Sequence, residues 1–150
     1  MLTADLLQGF GIATDRHIVV DEELMGATVD RLTHVKGMVD ALPSYPGSDS
    51  GPTTQRQRCS TDSGDLFQPN VSRRWALSDG VSADAVGESI TADLANAGWT
   101  VEADVDGRDP QSLTFEASDG WTAVGSLHTY EADAVILSVY IDGEQPCRLR

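Results

Sequence analysis

The chain has 150 residues, 40% apolar and 6% aromatic, a balance that suits a globular domain with or without an arm and argues against wholesale disorder. Twenty-four acidic residues stand against 10 basic ones, giving a formal charge of −14, and Lys36 is the single lysine. A surface of that sign repels phosphate backbones, so direct nucleic-acid binding is not expected.

The opening Met1-Leu-Thr-Ala-Asp-Leu-Leu has neither the basic start nor the long apolar stretch of a signal peptide. Thr3 can cap a short helix over Ala4 to Gln8, which Gly9 and Gly11 interrupt, and His17 to Val20 is a brief apolar link. Asp21 is a good N-cap for a second helix, with Glu22 and Glu23 on the first turn, where the helix dipole favours negative charge. From there Met25, Val29, Leu32, Val35, Val39 and Leu42 recur every three or four residues, one apolar stripe on a helix of about 20 residues that Pro43 ends. Such a stripe has to be buried against the rest of the chain, a second copy or a partner. Residues 44–58, rich in Pro, Gly and Ser, read as a linker, so residues 1–43 form a helical arm that docks on a protein partner or on itself.

Residues 59–150 read as an α+β domain. A strand covers Val71 to Leu77, and Ser78-Asp-Gly80 turns the chain. Ser82 caps a helix with the stripe Val86, Ile90, Leu94 and Ala97, and Gly98 stops it. A strand follows from Trp99 to Ala103, then a polar loop, Asp104 to Pro110. Leu113, Phe115 and Ala117 alternate with polar residues, Asp119-Gly120 marks a hairpin, Trp121 to His128 returns, and Val135, Leu137, Val139 and Ile141 form the last strand. The expected order is β-α-β-β-β-β, with one helix packed on an antiparallel sheet. The longest apolar run, Ala134 to Leu137, is far too short to cross a bilayer, so no transmembrane segment is expected.

Little in the chain points to catalysis. Gly47-Ser-Asp-Ser-Gly-Pro52 resembles a serine-protease nucleophile region only in its letters, which are out of order and lack a placed His/Asp pair. Asp104, Asp106 and Asp109 suggest calcium, but an EF-hand counted from Asp104 fails at Arg108, Asp109 and Phe115. A solvated loop is the simpler account. His17, His34 and His128 show no metal-ligand spacing, and Trp75, Trp99 and Trp121 read as core anchors rather than a ligand platform. Neither a phosphate-binding glycine loop nor a nucleophile elbow occurs, so no enzyme, catalytic residue, metal or cofactor is expected. Asn70-Val-Ser72 matches a glycosylation sequon, a pattern short enough to arise by chance.

Cys59 and Cys147 flank the domain, with no second cysteine or histidine close enough to suggest zinc. They form either a disulfide, worth about 4–5 kcal/mol in the chain-entropy model, or two buried thiols. A disulfide would place the domain in an oxidising compartment.

Over about residues 59–150 the chain resembles small extracytoplasmic α+β domains of actinobacterial lipoproteins and secreted proteins. The residues that carry the resemblance are Trp75, the capped helix and following turn from Ser82 to Trp99, Trp121 and the pair Cys59/Cys147. It implies an extracytoplasmic setting near the membrane and brings no catalytic residues with it. The leading expectation is a non-enzymatic accessory or binding module of the cell envelope, docking through Met25, Val29, Leu32, Val35, Val39 and Leu42. The alternative is an acidic intracellular or viral interaction protein, such as an inhibitor, that binds a basic partner. A third reading is a small metal-dependent protein working through the Asp104–Asp109 loop.

Overall fold

The computed structural model describes residues 18–55, 69–102, 111–131 and 133–149. The expected helix Ala4–Gln8, His17, Cys59 and the Asp104–Asp109 loop lie outside these residues. In chain order the elements are β1 (Ile18–Val20), α1 (Glu22–Asp40), β2 (Gly47–Asp49), β3 (Thr53–Gln55), β4 (Asn70–Leu77), α2 (Ala83–Asn96), β5 (Trp99–Glu102), β6 (Gln111–Glu116), β7 (Thr122–Glu131), β8 (Ala134–Asp142) and β9 (Cys147–Leu149). Two helices and an antiparallel sheet make the class α+β.

The chain divides into two compact units. The described part of the smaller is residues 18–27 and 144–149, where β1 and β9 form an antiparallel pair with Val19 opposite Arg148. The Asp21 amide donates to the Pro146 carbonyl at 2.7 Å. Asp21 Oδ1 accepts from the Leu24 amide at 3.0 Å, the capping bond that starts α1. Cys147 is fully buried.

The larger unit comprises residues 28–56 and 68–143. Its seven-stranded sheet runs β2-β4-β8-β7-β6-β5, with β3 also on β4. Antiparallel pairing of successive strands makes β5 through β8 a meander, and β4 closes on β8 along seven residue pairs, Asn70↔Tyr140 through Ala76↔Ala134. Alternation along each strand sends Val71, Trp75, Leu113, Leu127, Val135, Leu137 and Val139 to one face, where all are buried. Helix α2 covers this face with Val86, Ile90 and Leu94. The Ser82 hydroxyl accepts from the Ala85 amide at 3.2 Å to start α2. Beyond its end Gly98 takes φ +101°, the left-handed turn a Cβ would strain.

Two expectations are corrected here. The described part of the expected 44–58 linker, residues 44–55, is not free: β2 and β3, drawn from it, both pair with β4. The stripe of α1 is not a free docking surface either. Leu32, Val35, Val39 and Leu42 lie in the same hydrophobic cluster as Trp75, Ile90 and Leu137, and Val29 is half-buried. Burying such a side chain is worth about 1.5–3 kcal/mol. Exposing four of them to reach a partner would cost about as much as a whole domain's margin of stability. The boundary between a 1–43 arm and a 59–150 domain therefore gives way to one unit that takes in most of α1. Met25 is half-buried and falls in the smaller unit.

Candidate functional site

Among the described residues the most perturbed ionisable group, Asp49, serves the fold as the partner of a buried arginine. Arg73 occupies an inward position of β4 at 4% exposure, an unusual place for a cation. Helix α1 has no basic residue in its last turn, so its terminal carbonyls need donors from elsewhere. Arg73 supplies them: Nη1 donates to the carbonyls of Val39 at 2.8 Å and Leu42 at 2.9 Å. Its Nε and Nη2 donate to the two carboxylate oxygens of Asp49 at 3.0 and 2.6 Å, a bidentate pair. The guanidinium also lies 4.7 Å from the centre of the Trp75 ring, whose indole N–H donates to the Pro43 carbonyl at 3.1 Å.

Hydrogen bonds from Arg73 hold the Asp49 carboxyl well below the usual carboxylate range. Donation from the Gly51 amide and the Ser44 hydroxyl reinforces that shift, and burial opposes it. This network fastens residues 39–51 to the sheet. Composition alone hides it, because Asp49 and Ser44 read as solvated linker. The one visible signal is an arginine out of step in the apolar alternation of β4.

The aromatic residues also serve the fold. Trp75 and Trp99 are buried, and Trp121 packs half-buried against the cluster. Phe115 stacks at 5.3 Å from Trp99 and 5.6 Å from Trp121, and the His34 ring lies 5.7 Å from Trp121 and 6.1 Å from Phe115. Among the described residues no group of three or more His, Cys, Asp and Glu side chains gathers as a metal site would require. No helix among them is long and apolar enough to cross a membrane.

The opposite face of the sheet has a different chemistry. Register brings five hydroxyl side chains into one line across five strands: Thr53 on β3, Ser72 on β4, Ser138 on β8, Ser126 on β7 and Ser112 on β6. At the usual spacing between strands the row is about 19 Å long. Thr53 and Ser72 hydroxyls lie 3.1 Å apart, and Ser126 Oγ is 3.0 Å from His128 Nε2. The adjacent row holds Thr114, Val124, Tyr140 and Asn70.

A shallow depression of about 370 Å³ lies between these rows, bordered by Ser112, Thr114, Ser126, Ser138 and Tyr140. Tyr140, at 38% exposure, is one of the few large side chains left open. The outward charges of the sheet, Arg74, Glu102, Glu116 and Asp142, stand on β4, on the edge strand β5 and at the strand ends, with Glu102 directly opposite Ser112 at the end of the row. None borders the depression.

Gly125 sets the spacing under this depression. A Cβ there would strike the Ser138 carbonyl and Val139, so β7 can approach β8 this closely only with glycine at that position. The alternation that hides Leu113, Leu127 and Val139 is the same signal that exposes Ser112, Ser126 and Ser138. The sequence contained this face, but pairing register was needed to bring its residues into line.

No protein-family model matches this chain, and no curated protein or solved structure matches it either.

Proposed function

We propose that the chain is a non-enzymatic binding module of the cell envelope, working outside the cytosol through the face of its sheet that no helix among the described residues covers. The observation that carries this reading is the distribution of charge. A chain of net charge −14 places acids on its helices and turns, including Asp30, Asp40, Asp84, Glu88 and Asp119, all exposed. It leaves the depression beside Tyr140 bordered by hydroxyl and apolar groups alone. The charges that this face does carry, Arg74, Glu102, Glu116 and Asp142, all stand outside the depression. A small polar surface with one aromatic side chain is suited to contact with a partner whose own polar groups need hydrogen bonds.

The extracytoplasmic part of the proposal rests on a bond between Cys59 and Cys147. It is supported by the burial of Cys147 and by the lack of any free cysteine among the described residues. Accessory action follows from the same reading: the strongest electrostatic feature, Arg73–Asp49, is committed to holding α1, which leaves recognition as the task of the open face.

The test is co-sedimentation of the purified chain with insoluble actinobacterial cell-wall material. The wild type is expected in the pellet, and Tyr140→Ala in the supernatant. Equal partitioning of the two would remove the open face from the reading. Thiol titration of unreduced, denatured protein is expected to find no free thiol, and two would return the chain to an intracellular setting.

A further inference from the structure

We infer that the open sheet face binds a neutral polysaccharide, a chain of uncharged pyranose rings laid along the hydroxyl row. This rests on the binding-module reading above and specifies its ligand.

Three features of the face narrow the chemistry. First, the row Thr53, Ser72, Ser138, Ser126 and Ser112 repeats a donor–acceptor group at each strand, over about 19 Å. A hydroxyl both donates and accepts, so the row meets a polymer that presents hydroxyls at a regular interval without demanding one orientation. Second, Tyr140 stands open beside the row, with the half-buried Val124 opposite it on β7. An aromatic ring offers an apolar face for the C–H face of a sugar, and its phenol supplies a further hydrogen bond. Third, the charge balance selects against charged polymers. The acids on helices and turns, with Glu102, Glu116 and Asp142 on the margin of this face, repel an anionic chain, and a cationic one would settle on those acids rather than in the depression, which none of them borders.

A second copy of the chain fits this face less well. Five strands by three rows of side chains give a footprint on the order of 400 Å², about half of what each partner buries in a standard interface. Its apolar content is limited to Val124, Ile136 and Tyr140, whereas homodimer interfaces are more apolar than ordinary surface.

The test is affinity electrophoresis under native conditions, for which the −14 charge gives the chain strong mobility. Gels are cast with soluble neutral polysaccharides (hydroxyethyl cellulose, arabinogalactan, mannan, dextran), and a parallel gel contains anionic polygalacturonate. Retardation is expected in at least one neutral gel and not in polygalacturonate. Tyr140→Ala is expected to weaken the retarding interaction about tenfold, and Ser126→Asp, which puts a carboxylate in the row, to abolish it. Circular dichroism and urea midpoints matching the wild type confirm that both variants fold.

Free migration of the wild type in every neutral gel would overturn the ligand class, as would retardation indifferent to both variants. If the chain migrates freely there but still sediments with cell-wall material in a Tyr140-dependent way, the face binds something other than a neutral polysaccharide and the binding-module reading stands. If neither occurs, both fall. A doubling of solution mass through the same face, lost in Ser126→Asp, would identify a second copy as the occupant and also overturn the proposal.

Discussion

The two faces of one sheet differ more than any two segments of the chain. The inward face carries Val71, Trp75, Leu113, Leu127, Leu137 and Val139, sealed under α2 and the stripe of α1. The outward face of the same strands carries Ser72, Ser112, Ser126, Ser138 and Tyr140. Neighbouring residues of a strand thus do opposite work. Those pointing in are fixed by packing, where removal of one methylene is felt, and those pointing out are under no such constraint. A hydroxyl row can therefore vary or be retained for recognition without disturbing the core.

The comparison breaks most sharply at Arg73, a buried cation on the inward face. Arg73→Ala leaves the Asp49 carboxylate and two helix-end carbonyls without their donors, and should cost about 3–5 kcal/mol in urea denaturation. A loss below about 1 kcal/mol would mean that the network is solvated and does not hold α1. Next comes Leu32→Ala in the α1 stripe, expected to cost about 2–5 kcal/mol because the side chain is 2% exposed in the core. Were α1 a detachable arm, the same substitution would leave the urea midpoint unchanged. Gly125→Ala tests the strand spacing beneath the depression. Forcing a Cβ against Ser138 and Val139 should cost about 1–3 kcal/mol and disturb both faces together.

The pH dependence sharpens the same contrast. The pKa of Asp49 is depressed in the fold, so its contribution to stability is fully present above the unfolded value of about 4. It is lost as pH falls from there through the lower folded value. Urea midpoints taken from about pH 6 down to about pH 2 should drop across that window, and Asp49→Asn should flatten the fall. The smallest effect is expected on the outward face. Tyr140→Ala should change stability by no more than about 0.5 kcal/mol, since the ring is open to solvent.

Much of the larger unit was legible in the sequence because alternation and capping are local signals. Ser82 before a 3.6-period stripe, Gly98 after it, and Leu113/Phe115 alternating with polar residues each point to an element found in the fold. The segment from Ser44 to Gln55 reads as linker for the opposite reason. Gly47, Ser48, Ser50 and Gly51 have the composition of a flexible spacer, and only the distant partner β4 makes strands of Gly47–Asp49 and Thr53–Gln55. The role of α1 was ambiguous on physical grounds, since an apolar stripe states that it will be buried and not by what. The Arg73–Asp49 pair and the hydroxyl row share that limitation. Each is created by residues 12 or more positions apart that meet only through strand register.

The division between a packed face and an open face can be read residue by residue in an NMR titration of the ¹⁵N-labelled chain with whichever soluble neutral polysaccharide retards it most strongly. Shifts confined to the amides around Ser112, Ser126, Ser138 and Tyr140, with α1 unmoved, are the predicted result. Shifts that run along α1 from Leu32 to Val39 and spare those strands would contradict it.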